Sequence, residues 1–82
     1  MKTYTLKEDK FTGELHLFEG ETTSDSKGKC ATETLSICGK MQDSDNAENV
    51  FACANDKLAR HECAEIGERV CGICVSRLYA SY

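Results

Sequence analysis

The sequence contains no proline and no tryptophan, and only three tyrosines and three phenylalanines supply its aromatic side chains. No apolar run approaches the roughly 20 residues that a membrane-spanning helix needs, which excludes a helical membrane protein. A chain of 82 residues forms one small domain, too small for a deep catalytic cleft or a nucleotide-binding α/β fold. A side-chain core of this size contributes no more than about 3 to 5 kcal/mol, so we expect a cross-link or a metal ion to stabilise it.

Basic side chains are outnumbered, since 10 lysines and arginines stand against 14 aspartates and glutamates, for a net charge of −4. Nonspecific affinity for DNA or RNA comes mainly from basic side chains that neutralise phosphates, so this balance disfavours a direct nucleic-acid binder such as a zinc finger. No segment combines a strongly apolar face with a cationic one, and we expect no membrane association either.

The amino-terminal segment has no apolar stretch of the roughly 7 to 15 residues that a secretory signal contains. We therefore expect a cytoplasmic protein. In a reducing compartment, the six cysteines are more often metal ligands or reactive thiols than structural disulfides. The alternative is a secreted domain stapled by three disulfides, for which six cysteines allow 15 pairings.

The first half of the chain has the alternation of β-strands. Residues 3–6 and 14–18 alternate in polarity and are separated by turn residues that include Gly13, which predicts a β-hairpin. Residues 19–29 are polar and predict an exposed loop. Residues 30–38 alternate again and predict a third strand, so the sheet is expected to be three-stranded and antiparallel.

The second half has helical periodicity. Asp45 with Glu48 resembles a capping box, and it precedes an apolar stripe formed by Ala47, Val50, Phe51, Ala54 and Leu58. The stripe predicts a central helix, or a pair of helices of which the second is capped by Asn55, ending at Gly67. A shorter stripe, beginning at or near Cys74, predicts a terminal helix from Val75, Leu78, Tyr79 and Tyr82. The expected fold is one α+β domain over residues 1–82.

Cys71 and Cys74 form a Cys-x-x-Cys motif with a glycine between them, where the terminal helix is predicted to begin. Two thiolates at this spacing can both reach one tetrahedral Zn²⁺ at about 2.3 Å. Cys38 is the best third ligand, because it lies in a Cys-Gly turn of a similar kind. His16 and Cys30 compete for the fourth position, and His16 is interpreted equally well as an ordinary strand residue.

Three short stretches carry a resemblance: Leu-His-Leu at residues 15–17, Leu-Ser-Ile-Cys-Gly-Lys at 35–40 and Val-Cys-Gly-Ile-Cys at 70–74. They resemble a loose class of small His-Cys₃ zinc proteins of bacteria and phages, with zinc-ribbon or treble-clef-like folds. The resemblance implies one zinc ion held by His16, Cys38, Cys71 and Cys74. This chain departs from the pattern by inserting Cys30 and a long helical segment, so Cys30 stays open as the alternative fourth ligand.

The remaining cysteines and histidine have simpler interpretations. Cys53 and Cys63 are expected to be buried free thiols that pack as small apolar side chains, and His61 is expected to be a solvated helix residue. A second metal site made from these three residues and Cys30 is the alternative. It requires a kink near Asn55, because ten helical residues separate the two cysteines by about 15 Å.

Catalysis is not expected. The sequence has no Gly-rich phosphate loop and no recognisable grouping of nucleophile and base, and a zinc ion with four protein ligands has no open position for water. We expect a small acidic zinc-stabilised protein from a phage or mobile element. It would act by binding another protein, as an inhibitor or regulator of a host protein that handles nucleic acid. The alternative from another class is a thiol-disulfide redox protein that uses Cys71 and Cys74.

Overall fold

A computed structural model describes residues 2–22 and 30–80 of the chain. It confirms the α+β class, with an antiparallel sheet and two helices. The sheet has four strands, not three. The strands are β1 (Lys2–Asp9), β2 (Leu15–Thr22), β3 (Cys30–Thr32) and β4 (Asn46–Ala54), and the helices are α1 (Asp56–Ile66) and α2 (Gly72–Ala80). No helix in these described ranges is long and apolar enough to cross a membrane.

The amino-terminal hairpin is confirmed. β1 and β2 pair in antiparallel register, with Leu6 opposite Leu17 and Lys7 opposite His16. The turn closes through the Asp9 amide, which donates to the Glu14 carbonyl at 2.9 Å. Gly13 follows the turn with φ of 75°, a left-handed conformation that glycine adopts without strain.

The sheet order is β3-β2-β1-β4. The predicted third strand over residues 30–38 is shorter than expected, because only Cys30–Thr32 pairs with β2. The rest of that stretch turns away into a loop that carries Cys38. The predicted loop over residues 19–29 was wrong at its start, since β2 continues to Thr22. Residues 23–29 lie outside the described part of the chain.

The prediction of a central helix beginning near Asp45 was wrong for its first half. Residues 46–54 form β4, which pairs with the free edge of β1. Asp45 does cap a turn, but as the third residue of a 3₁₀ turn over Asp43–Asp45, where its carboxylate accepts from the Gln42 amide. The pairing with β4 satisfies the backbone groups along this edge of β1, whereas a helix over residues 46–54 would satisfy only its own backbone.

The second half of the helical prediction is confirmed. Asn55 caps α1 by accepting a hydrogen bond from the Leu58 amide at 2.8 Å. Gly67 ends the helix with φ of 80°. The terminal helix is also confirmed, although α2 begins at Gly72, two residues before Cys74. Tyr82, the last residue of its predicted stripe, lies outside the described residues.

The main core lies between one face of the hairpin and the two helices. It contains strand residues, helix residues and three cysteines, all at most 5% exposed: Tyr4, Leu6, Leu15, Leu17, Ala54, Ala59, Cys63, Val70, Cys71, Cys74 and Leu78. On the other face of β1, Thr5 and Lys7 are buried as well. Both faces are covered because the sheet curls.

The curl brings the two edge strands together. Cys30 on β3 and Cys53 on β4 form a disulfide, with their Cα atoms 5.7 Å apart. The expectation that Cys53 is a free buried thiol was therefore wrong, because residue 53 lies on an edge strand and not on a helix. β3 and β4 are the two edges of the sheet and are not paired with each other. The disulfide joins these two edges covalently.

Candidate metal centre

The first half of β2 is the base of the site, because two other segments hydrogen-bond to its free edge. The Cys71 amide donates to the Leu15 carbonyl at 2.7 Å, and the Ile37 amide donates to the Leu17 carbonyl at 2.8 Å. His16 lies between these two anchoring points on the strand. Three segments that are distant in sequence therefore meet around one histidine side chain.

Cys38 lies in a tight loop whose shape comes from its backbone. The Ser36 amide donates to the Met41 carbonyl, and the Gly39 amide returns to the Ser36 carbonyl, both at 2.9 Å. Gly39 has φ of 78°, so the turn requires a residue that tolerates a left-handed conformation. The Cys-Gly turn is the one that the sequence predicted, and it places the sulfur of Cys38 3.3 Å from Nδ1 of His16.

Cys71 and Cys74 flank the start of α2. The Val75 amide donates to the Cys71 carbonyl at 3.1 Å, so Cys71 lies at the first turn of the helix. The Cys74 side chain points inward from that turn. Both thiols are almost completely buried.

The four predicted ligands lie together. Nitrogen or sulfur atoms of His16, Cys38, Cys71 and Cys74 are all within 4.8 Å of one another, and this group could hold a metal ion. Nδ1 of His16 is 3.3 Å from the Cys38 sulfur and 3.8 Å from the Cys74 sulfur. In a tetrahedral zinc site with bonds of about 2.1 Å to nitrogen and 2.3 Å to sulfur, these atoms are roughly 3.6 Å apart. The spacing therefore fits a metal ion of this size.

The thiols of the cluster differ in acidity. Burial alone would raise the pKa of Cys38, but hydrogen bonds from the Ser36 hydroxyl and the Lys40 amide outweigh it. With smaller contributions from Cys74 and His16, they lower the pKa of Cys38 to about 6. Burial, together with the neighbouring Cys38 thiol, raises the pKa of Cys74 to about 12, although hydrogen bonds from the backbone of Leu17 and Cys38 oppose this rise. A bound cation would remove this difference in acidity, because each coordinating thiol releases its proton to solvent and binds as a thiolate.

Two residues that support the cluster were missed by the sequence prediction. Ser36 is buried, and its hydroxyl lies 3.2 Å from the Cys38 sulfur while it accepts from the Met41 amide. Glu14 Oε1 lies 2.9 Å from Nε2 of His16. A serine in a loop has no distinctive sequence pattern. Glu14 does have one, because it lies two residues before His16 and both side chains then lie on one face of an extended chain.

The other candidate ligands lie elsewhere. Cys30, the alternative fourth ligand, is joined to Cys53 and has no free thiol. Cys63 is free and buried, as predicted, and burial raises its pKa to about 11. His61 is exposed on α1 and pairs with Glu65 one turn later, at 3.0 Å. The alternative second site from these four residues is therefore wrong, since two of its sulfurs form a disulfide.

Comparisons of the chain with protein-family models, with curated proteins and with solved structures found no match. The resemblance to His-Cys₃ zinc proteins of bacteria and phages therefore stays a prediction, based on the short motifs.

Proposed function

We propose that this chain is a zinc-stabilised protein in which one structural Zn²⁺ is held by His16, Cys38, Cys71 and Cys74. The observation that carries the proposal is the convergence of these four donors within 4.8 Å. Three sulfurs and one imidazole nitrogen are a donor set that zinc prefers in tetrahedral sites. Four protein ligands fill such a site, which supports a structural ion over a catalytic one.

The metal would stabilise the fold by joining segments that are distant in sequence. Cys71, directly before α2, hydrogen-bonds to Leu15 of β2, and the Cys38 loop hydrogen-bonds to β2 through Ile37. A zinc ion bound to both segments and to His16 ties them to the hairpin at one point. In a domain of this size, metal-binding free energy becomes folding free energy.

A cobalt titration tests the metal site. Cobalt bound by three thiolates gives intense sulfur-to-metal absorption, and we expect one equivalent to saturate it. His16→Asn should weaken the binding strongly, whereas His61→Asn, which changes the exposed histidine on α1, should leave it unchanged. Equal binding by these two variants would contradict the assignment of His16.

For the biological role, we propose that the protein acts by binding another protein. In the part of the chain that the structure describes, the large apolar side chains that are substantially exposed are Phe11, Leu35, Val50, Leu58, Ile73 and Tyr79. The net charge of −4 suits competition for a basic, nucleic-acid-binding face of the partner. An inhibitor or regulator encoded by a phage or mobile element remains part of this proposal. Co-purification from the native host tests it, with Phe11→Ser as a variant that removes the most exposed of these side chains.

A redox role for Cys71 and Cys74 has less support. A redox-active thiol is usually accessible and has a lowered pKa, whereas Cys74 is fully buried and its pKa is raised to about 12. A disulfide-reductase assay with a dithiol donor separates the two proposals. We expect no activity from the zinc-loaded protein.

A further inference from the structure

We propose that Glu14 is a positioning residue for His16, and that it directs the metal ion to Nδ1 of the imidazole and not to Nε2. The inference rests on the proposed metal site. Its basis is that the two ring nitrogens face different groups: Nε2 lies 2.9 Å from Glu14 Oε1, and Nδ1 lies 3.3 and 3.8 Å from the sulfurs of Cys38 and Cys74.

The chemistry of the pair fixes the tautomer. An ionised carboxylate only accepts hydrogen bonds, so Nε2 must carry the hydrogen that it donates to Glu14. In a neutral imidazole the other nitrogen then has a free lone pair, and a metal binds through that lone pair. The free lone pair of His16 is directed at the sulfur cluster. The carboxylate thus prepares the ring for one mode of coordination.

The hairpin holds Glu14 in place from its backbone. Its carbonyl accepts from the Asp9 amide at 2.9 Å, and its amide donates to the Thr12 hydroxyl at 3.2 Å. Residues 14 and 16 lie on one face of the extended chain, so the side chains are neighbours. Glu14 is about half exposed, at 48%, while His16 is 2% exposed. The carboxylate therefore forms the outer wall of the site and can be changed without opening the core.

Carboxylates that hydrogen-bond to a metal-bound histidine have a measurable effect on metal affinity. Removal of a carboxylate that orients a metal-bound histidine typically weakens metal binding by about 10- to 100-fold. We expect a loss in this range for Glu14→Ala, with the stoichiometry of one zinc unchanged. Glu14→Gln should lie between Glu14→Ala and the native protein, because its amide oxygen can still accept from Nε2.

Glu8 supplies a matched control. It is another acidic residue of the same hairpin, and its carboxylate pairs with Arg69 at 3.0 Å, away from the histidine. We expect the zinc affinities of Glu8→Gln and Glu8→Ala to lie within about twofold of the native affinity, well below the loss typical of a carboxylate that orients a ligand. If Glu14→Ala binds zinc as tightly as Glu8→Ala, the positioning role is wrong.

The deciding experiment is nitrogen NMR of the full chain labelled at histidine and loaded with zinc. Long-range proton-nitrogen correlations distinguish a protonated ring nitrogen from a metal-bound one, and a merely structural role of Glu14 would not predict which is which. We expect a hydrogen on Nε2 of His16 and zinc on Nδ1. Zinc on Nε2 would overturn this inference and leave the proposed site intact, whereas a native chain that binds no zinc would overturn both.

Discussion

At Cys38, the loop surrounds the sulfur with hydrogen-bond donors. The Ser36 hydroxyl, 3.2 Å from the sulfur, and the Lys40 amide both favour the thiolate, and they hold the pKa of Cys38 near 6. At Cys63 no such donor offsets burial, and the pKa is raised to about 11. The two cysteines differ because one lies in a turn with free amides and the other on an amphipathic helix whose amides are already bonded.

This contrast predicts how stability depends on pH. Cys63 has a pKa of about 11 in the folded state and an ordinary value near 8.5 when unfolded. The folded state therefore retains a proton that the unfolded state loses, and the free energy of unfolding should fall as the pH rises from about 9 to about 11. Urea unfolding across this range checks the slope.

The control for that measurement is Cys63→Ala, which removes the titrating thiol and part of the side chain. We expect this variant to be less stable at neutral pH, because it leaves a small cavity, but to lose less stability on the way to pH 11. An identical slope for both proteins would show that Cys63 is not the group that titrates. In the native protein, Cys63 should also be slow to react with thiol reagents at neutral pH.

For single residues, local motifs predicted which cysteines lie in the cluster. Cys71 and Cys74 share a short motif with a glycine, and Cys38 precedes a glycine, so their turns were visible in the sequence. The supporting residues were less visible. Glu14 was missed although its spacing from His16 could have indicated it, and Ser36 acts through a loop geometry that only the folded backbone defines.

Among the elements, β4 shows why periodicity misled. The register between β1 and β4 shifts at three places along the pair. Each shift moves the following side chains to the opposite face, so the period-two signal of a strand is lost. What remains is a spacing of three and four between Val50, Phe51 and Ala54, which is also the spacing of a helical stripe. The hairpin β1-β2 was predicted correctly because its register has no such shift.

A pair of glycine substitutions tests the packing of β2 against β3. A Cβ atom added at Gly20 would lie 2.3 Å from the Ala31 carbonyl oxygen, a backbone atom that cannot move aside cheaply. We expect Gly20→Ala to destabilise the protein by about 1 to 3 kcal/mol, the usual cost of overpacking. Urea denaturation measures the difference.

Gly72→Ala is the matched control for this change. A Cβ atom at Gly72 meets no atom within 4 Å, and alanine favours a helix by up to about 1 kcal/mol over glycine. This variant should therefore be as stable as the native protein or more so. If Gly20→Ala were equally harmless, β3 would not pack on β2 as described.

For the whole molecule, the disulfide between Cys30 and Cys53 is the feature that the sequence could not reveal. The two residues lie on strands at opposite edges of the sheet order, and they meet only because the sheet curls. Cys53 also has φ of 56°, an unusual backbone conformation for a residue other than glycine, and its amide donates to the Thr5 hydroxyl at 3.1 Å. Cysteine spacing carries no information about such curvature.

Removing the disulfide should weaken the fold without abolishing the metal site. The bond closes a loop with a sequence separation of 23 residues. For a loop of this length, chain entropy predicts that removing the disulfide lowers the free energy of unfolding by about 3 kcal/mol. We expect the double variant Cys30→Ser, Cys53→Ser to unfold at lower urea concentration and still bind one zinc ion. Loss of zinc stoichiometry would instead place one of these sulfurs among the ligands.

Native mass spectrometry of the whole chain before and after chelation tests the metal site most directly. We expect one zinc ion per chain, one disulfide that makes the polypeptide about 2 mass units lighter than the fully reduced form, and unfolding once a chelator removes the metal. A folded, metal-free chain about 6 mass units lighter than the reduced form would show three disulfides and contradict the metal site at His16, Cys38, Cys71 and Cys74.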